Sequence, residues 1–296
     1  MSPRGRVRAP VRETLVRRLT RTLPRPPGRV LPALLEVAAA LDPAAPSLLL
    51  PPARRVLIVV PHPDDESIGA GGLLARLVAR GAHVDALLVT DGEATIGSRT
   101  GPVETGRRRR GEFREACATL GVGVHATLAL PDGAVRAHHA SLVAAVADAL
   151  TALRPDLVLA PWPLEAHADH RAVLHATAAA LTGPATPTPT LAGAMVTLWT
   201  YEAHTPIPNP SHVIDVTDHV ATKRAALAAH VTAAGAFDLT ACLALARWRS
   251  LATRAGRGAA EAFLELTPDA ALTLLASTTT SAGAALGPAA DVEVPA

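Results

Sequence analysis

The stretch VLIVVPHPDDE, residues Val56–Glu66, contains both the element that decides the fold and the first group of reactive side chains. Val56–Val60 is a continuous run of β-branched residues and leucine, a pattern typical of a strand that is buried on both faces of a sheet. The turn Pro61–Ser67 follows, and a helix is predicted from there to Arg80–Gly81. A buried strand that leads through a short turn into a helix indicates an α/β fold.

Strand and helix patterns alternate along the rest of the chain. Further strands are predicted at His83–Thr90, Val124–Leu130, Asp156–Ala160, Leu191–Tyr201 and Val213–Val216, and further helices at Val30–Leu41, Glu112–Leu120, Ser141–Leu153, Asp169–Leu181 and Thr217–Ala234. Thr217 or Asp218 is the expected N-cap of the last helix. This order predicts an α/β fold with a mostly parallel, Rossmann-like sheet and helices on both faces.

Composition divides the chain into three predicted parts. Residues 1–52 form an arm rich in arginine and proline that includes the first predicted helix, and residues 53–275 form a single domain that holds the reactive motifs. Residues 276–296 are dominated by small side chains and are expected to be disordered.

Positive charge is concentrated at the start of the chain, although the net formal charge of the whole is only +2. Arginines from Arg4 to Arg29 are opposed there by Glu13 alone. A solvated arm is the favoured interpretation, and contact with an anionic surface or nucleic acid, or a transit peptide, are the alternatives. Because the chain as a whole carries no strong positive field, no nucleic-acid partner is expected.

Apolar runs and cysteine usage bear on the cellular compartment. The apolar runs are shorter than the roughly 20 residues that a membrane-spanning helix needs, so no stable membrane insertion is expected. Cys117 and Cys242 are far apart and lie in apolar, helical patterns. Buried thiols without a disulfide framework are typical of a reducing environment, which predicts a cytoplasmic location.

The motif Pro61–Ser67 stands at the carboxyl end of the first strand, where doubly wound sheets bind their ligands. His62 and Asp65 are three residues apart across a tight turn and can face one centre, and together they offer an imidazole and a carboxylate suited to zinc or iron(II). Asp64 stays free to take a proton from a water bound to the metal. An acidic first helical turn would explain Asp65, but it would not explain a histidine between two prolines.

A second motif, Glu165–His170, follows the strand predicted at Asp156–Ala160. His170 is the expected third metal ligand. Asp169 is expected to accept a hydrogen bond from His167, which fixes its tautomer and supports an imidazolium that stabilises an oxyanion and protonates the leaving amine. Histidines clustered on a surface loop are often inert, so this motif gains its weight from the first one.

The glycines at residues 69–72 do not indicate a dinucleotide site. Such a site needs its glycines at the turn between strand and helix, where backbone N–H groups meet a pyrophosphate. Carboxylates occupy that turn here and would repel a phosphate. The glycines are instead expected to allow close packing of the helix on the sheet or close approach of a substrate to the backbone.

Together the two motifs resemble those of the LmbE/PIG-L-like family, metal-dependent deacetylases of N-acetylglucosamine conjugates. Pro61–Glu66 is similar to the family's His-Pro-Asp-Asp-Glu signature, and His167–His170 is similar to its His-Pro-Asp-His signature with Ala168 in place of proline. The similarity spans roughly residues 54–270. The family also carries an Arg-x-x-Glu helix start, which Arg109 matches, and an Asp-Gly loop, which Asp132 matches.

The resemblance implies a fold and a set of roles. It implies a Zn²⁺ site, with Fe²⁺ as the alternative, whose ligands are His62, Asp65 and His170. Asp64 is then the general base. His167 is the acid and the oxyanion partner, and Asp169 orients it. It further implies that Arg109 contacts the substrate and that Asp132 holds a sugar hydroxyl. Glu165 stands where some members of thiol-cofactor pathways carry a tyrosine, which speaks against a mycothiol-type substrate.

The favoured function is therefore hydrolysis of the N-acetyl group of an N-acetylglucosaminyl conjugate, a small-molecule substrate, by a zinc-dependent deacetylase. One alternative is an amidase that removes a larger acyl group from a thiol-sugar conjugate or an antibiotic intermediate. Another, from a different class, is a protein that binds a sugar in its metal cleft without turnover. The sequence makes no prediction of the oligomeric state.

Overall fold

The computed structural model describes residues 46–95, 100–183 and 196–282 of the chain. The predicted helix Val30–Leu41, nearly all of the basic arm and the proline- and threonine-rich loop at 184–190 lie outside the described residues, as does the tail after Ala282. None of the described helices combines the length and the apolar character that a membrane span requires. The cytoplasmic location stays a prediction.

A seven-stranded sheet in the order β3-β2-β1-β4-β5-β7-β6 forms the centre of the fold. The strands are β1 (Arg55–Val60), β2 (His83–Thr90), β3 (Gly123–Leu130), β4 (Leu157–Pro161), β5 (Thr197–Tyr201), β6 (His212–Asp215) and β7 (Ala260–Leu266). The first five are parallel to one another, whereas β7 runs antiparallel to both β5 and β6. The predicted α/β fold with a mostly parallel sheet is confirmed.

Helices cover both faces of this sheet. They are α1 (Asp65–Ala79), α2 (Pro102–Leu120), α3 (His139–Leu153), α4 (Ala168–Thr182), α5 (Val220–Ala229), α6 (Val231–Ala234), α7 (Ala241–Thr253) and α8 (Pro268–Ala282). Side chains of β1 alternate between two cores: Ile58 packs with residues of α1 and α2, and Leu57 packs with residues of α3 and α4. Both faces of β1 are buried, as its continuous apolar run predicts.

Two parts of the C-terminal third differ from the prediction. The predicted helix Thr217–Ala234 is interrupted: a 3-10 turn at Thr217–His219 precedes α5, and His230 separates α5 from α6. Thr217 is not the helix cap, because its hydroxyl donates instead to Asp215 at 2.6 Å. The elements α7, β7 and α8 were not predicted, and α8 continues through Ala282, beyond the predicted start of the tail at residue 276.

A buried ion pair explains why β7 has a charged residue in its apolar sequence. Glu261 of β7 accepts a hydrogen bond from Lys223 at 2.6 Å and from the backbone N–H groups of Gly72 and Leu73 in α1, at 2.9 and 2.7 Å. Lys223 also donates to the carbonyl oxygen of Ile68 at 2.7 Å. These bonds connect β7 and α5 to the helix that begins at Asp65.

We expect the substitution Glu261→Gln to lower the free energy of unfolding by about 3–5 kcal/mol, because it leaves the buried ammonium of Lys223 without its counter-charge. Urea unfolding followed by circular dichroism measures the effect. The matched control is Asp218→Asn, which removes the exposed partner of Arg257 and is expected to cost less than about 1 kcal/mol. Equal losses for the two variants would contradict the structural role given to the buried pair.

Candidate active site

The two reactive motifs lie side by side at one edge of the sheet. β1 pairs with β4 in parallel, with Val56 opposite Leu157 and Ile58 opposite Leu159. The loop after β1 carries His62, and the loop after β4 leads into α4, whose first turn carries His170. Since parallel neighbours end at the same edge, the pairing brings the two loops together.

Three side-chain atoms, one each from His62, Asp65 and His170, converge at this edge. His62 Nδ1 lies 3.2 Å from His170 Nε2 and 3.3 Å from Asp65 Oδ2. His170 Nε2 lies 3.2 Å from the same Asp65 oxygen. The sequence-predicted ligand set is thus brought together as a nearly equilateral triangle of donor atoms.

This triangle fits a tetrahedral metal ion. Zinc binds histidine nitrogen and carboxylate oxygen at about 2.0–2.2 Å, and the ligand atoms of a regular tetrahedron are then about 3.3–3.6 Å apart. Asp65 Oδ1 is buried and has no hydrogen-bond partner among the described residues. His167 and His204 also bring possible ligand atoms within 4.8 Å of members of this group.

The charges around the triangle favour a cation. Burial lowers the pKa of His62, but hydrogen bonds to Asp132, Asp169 and Asp65 outweigh it and hold the pKa well above its usual value. Burial likewise lowers the pKa of His170, and the charge of Asp65 outweighs it and raises the pKa to about 9. The negative charge that holds protons on these rings would equally hold a divalent cation between them.

Two carboxylates support the outer nitrogen of His62. Its Nε2 lies 3.2 Å from Asp132 Oδ1 and 3.3 Å from Asp169 Oδ2. Asp169 is fixed in turn by the backbone N–H groups of Gly133 at 2.7 Å and Val135 at 3.2 Å. A carboxylate that accepts a hydrogen bond from the second ring nitrogen of a metal-binding histidine fixes the tautomer and orientation of that ring.

The expected contact between the Asp169 carboxylate and His167 is corrected by the structure. His167 is the N-cap of α4, and its Nδ1 accepts a hydrogen bond from the backbone N–H of Asp169 at 3.2 Å. The carboxylate of Asp169 contacts His62 instead. Burial and the charges of His62 and His170 lower the pKa of His167, which favours a neutral ring rather than the expected imidazolium. With Nδ1 as acceptor, that ring carries its hydrogen on Nε2.

Asp64 occupies an unusual backbone conformation at the start of α1. Its φ of 137° lies where non-glycine residues are rare, and such outliers concentrate at functional sites. Its backbone N–H donates to Glu66 Oε2 at 3.2 Å, and its carboxylate accepts from Arg109 Nη2 at 3.1 Å. Burial and the charge of Asp65 raise the pKa of Asp64 to about 7, against the opposing charges of Arg109 and His230.

Arg109, expected to contact substrate, is engaged within the protein. Its side chain is almost wholly buried, and besides Asp64 it donates to the carbonyl oxygens of Pro63 at 2.7 Å and Gly92 at 2.9 Å, and to the hydroxyl of Thr95. Arg109 therefore holds the carboxylate of Asp64 in place. These contacts give Arg109 a role in positioning Asp64, and because Arg109 also lines the cavity at this site, its contact with substrate stays a prediction.

Three buried residues support the site and were not among the predicted site residues. Glu165 accepts hydrogen bonds from the backbone N–H groups of residues 203–205. Its Oε2 lies 3.6 Å from His170 Nδ1, which is too long for a hydrogen bond but close enough for attraction between charges. Glu66 accepts from His230 Nε2 at 2.8 Å. Glu66 stands inside the first motif, but nothing local in the sequence links it to His230, because 164 residues separate the two.

A cavity of about 660 Å³ opens onto these side chains. His62, Asp64, Asp132 and His167 are among the residues that line it. Its size lies within the range of about 300–1,000 Å³ that is usual for small-molecule sites. The site can therefore admit a molecule considerably larger than an acetamide group.

Comparison with known proteins identifies related sequences. Residues 57–181 match the family model PIG-L, described as GlcNAc-PI de-N-acetylase. A 1D-myo-inositol 2-acetamido-2-deoxy-alpha-D-glucopyranoside deacetylase of Kineococcus radiotolerans is 40% identical over 107 residues, 33% of this chain and 29% of that protein. A diacetylchitobiose deacetylase of Thermococcus kodakarensis is 36% identical over 126 residues, 40% of this chain and 45% of that protein.

A solved structure extends the similarity over most of the fold. The conserved protein TT1542 from Thermus thermophilus is 30% identical and superimposes with a TM-score of 0.61, covering 72% of this chain and 95% of that one. The chain spans less than half the length of the two deacetylases named above.

Proposed function

We propose that this chain, which belongs to the PIG-L family of N-acetylglucosamine-conjugate deacetylases, is a metal-dependent amide hydrolase that removes the N-acetyl group from an N-acetylglucosaminyl conjugate. The observation that carries the proposal is the triangle of His62, Asp65 and His170 donor atoms, 3.2–3.3 Å apart, beside the buried carboxylate of Asp64. The names of the related proteins support an acetylated amino sugar as substrate.

His62, Asp65 and His170 would hold the metal, for which zinc fits the donor set and iron(II) is the alternative. When bound, the ion supplies a Lewis acid that polarises the amide carbonyl and increases the acidity of water. The three ligands carry one negative charge among them, so the ion keeps a net positive charge toward the substrate.

Asp64 would act as the general base. A carboxylate with a pKa near neutrality can accept the proton of the attacking water without a large energetic penalty. A bound cation next to Asp65 would act in the same direction as Arg109 and lower the pKa of Asp64, which keeps the base ionised. Arg109 fixes the carboxylate while the water oxygen attacks the carbonyl carbon.

His167 would stabilise the oxyanion, and Asp64 would protonate the leaving group. Its Nε2 carries a hydrogen when Nδ1 accepts from the Asp169 backbone, and a donor of this kind stabilises the negative carbonyl oxygen of the tetrahedral species. As the carbon–nitrogen bond breaks, the amine nitrogen takes up the proton that Asp64 accepted from the attacking water. Acetate and a free amino sugar are the products.

The test is the release of acetate from purified protein, measured together with free amine. We expect both products in equal amounts from methyl N-acetylglucosaminide and from N,N'-diacetylchitobiose. We expect the release to stop after chelation and to return when zinc or iron(II) is added. Absence of acetate from every N-acetylglucosaminyl compound tested, with metal present, would refute the proposed function.

A further inference from the structure

More than the reactive groups lines the cavity, and part of its lining is apolar. We call this part the apolar annex and define it by six of the lining residues: Ile68, Phe237, Leu239, Cys242, Leu245 and Ala246. Ile68 lies in α1 just beyond Asp64, and the last three lie in α7. The annex is therefore continuous with the reactive end of the same cavity.

The buried charges near the annex are already paired within the protein. Lys223 donates to Glu261 at 2.6 Å, and Arg249 donates to Glu202 and to the carbonyl oxygen of Ile207. The thiol of Cys242 donates to the carbonyl oxygen of Leu239 at 3.0 Å. Lys223, Glu261, Glu202 and Cys242 line the cavity with these bonds already made, and Asp238, which also lines it, is exposed. An apolar ligand would suit such a lining better than a charged one.

Phe237 supports this interpretation. The chain has only three phenylalanines, and the other two, Phe113 and Phe263, are fully buried in the core. Phe237 is 49% exposed beside the annex. An aromatic ring left half open to a cavity offers apolar area that a ligand can cover.

We propose that the annex binds an apolar aglycone, so that the substrate is an alkyl or aryl glycoside of N-acetylglucosamine. This inference rests on the proposed function, because an acetyl group has only two carbons. The apolar part of a deacetylase substrate must then come from the group attached to the sugar. The sugar ring takes the polar end beside Asp132, and the aglycone extends past Ile68 toward α7.

The first experiment compares methyl with hexyl N-acetylglucosaminide, the latter below its micelle concentration. We expect kcat/KM for the hexyl glycoside to be at least about tenfold higher. Each CH₂ that is fully buried from water can raise binding roughly fourfold, so a tenfold gain needs only partial burial of the additional CH₂ groups of the hexyl chain. N-hexanoylglucosamine serves as the third substrate, because it carries the apolar chain on the acyl side.

The second experiment uses a variant in the annex. Phe237→Ala removes a half-exposed ring and is expected to reduce the preference for the hexyl glycoside severalfold while leaving the methyl glycoside unaffected. Leu251→Ala is the matched control, since Leu251 is 79% exposed in the same region of the chain and does not line the cavity. We expect it to change neither substrate.

The outcomes separate this inference from the proposed function. Equal kcat/KM for the methyl and hexyl glycosides, in protein that releases acetate, overturns the annex proposal and leaves the deacetylase intact. Preferred turnover of N-hexanoylglucosamine would assign the annex to the acyl group and also overturn it. If no substrate is hydrolysed, calorimetry still decides: tighter binding of the hexyl than the methyl glycoside, abolished by Phe237→Ala, supports the annex, and equal binding rejects it.

Discussion

Replacing Asp64 with asparagine is expected to lower kcat by about 10²–10⁴-fold while the protein keeps its bound metal. Asparagine preserves the shape of the side chain and tolerates the positive φ of this position better than alanine does. It cannot take a proton from water, however, so the loss isolates the role of the base. Steady-state rates of acetate release and elemental analysis of the same sample measure the two parts.

Asp148→Asn is the control for this experiment, because Asp148 is exposed on α3, away from the cavity. We expect it to retain full activity. Wild-type kcat in Asp64→Asn would show that another group accepts the proton. Loss of the metal from Asp64→Asn would instead place Asp64 among the ligands.

The substitution His170→Ala is expected to remove the metal. It deletes one of three donor atoms from a buried site, and the effect on affinity should exceed the ~10–100-fold that loss of a supporting partner costs. We therefore expect less than a tenth of the wild-type metal content after gel filtration, with no detectable acetate release. Elemental analysis of the purified protein provides the readout.

Two further variants calibrate that result. His175→Ala, in the same helix but exposed, should keep the metal. Glu165→Gln, which removes the charge facing His170 Nδ1, should weaken binding to an intermediate degree, seen in competition with a chelator of known affinity. A fully occupied site in His170→Ala would reject the proposed ligand set.

The sheet was largely predictable because its central strands are apolar runs buried on both faces. Helix α2 starts at Pro102, ten residues before the predicted start at Glu112, because the arginine run before Glu112 continues the helix instead of preceding it. Strand β7 was missed because Glu261 interrupts its apolar sequence. Glu261 can be buried because it pairs with Lys223. That partner is 38 residues away, so the local sequence pattern does not reveal it.

The site shows the same division between local and distant information. The convergence of His62 with His170, 108 residues later, follows from parallel strands that end at one edge of the sheet. The inward direction of the Arg109 side chain and the contact of Asp169 with His62 depend on how α2 and α4 pack against the loop after β1. Spacing in the sequence alone does not determine which neighbour a side chain contacts.

The segment that carries the recognisable motifs depends on contacts with the last third of the chain. The family model covers residues 57–181, yet α1 rests on Lys223, His230 and Glu261 from the last third of the chain. A fragment restricted to the matched segment would expose the buried side of that helix and leave Glu66 without its imidazole partner. Substitutions in the C-terminal third would therefore shift α1, and with it the carboxylate of Asp64, even when every motif residue is unchanged.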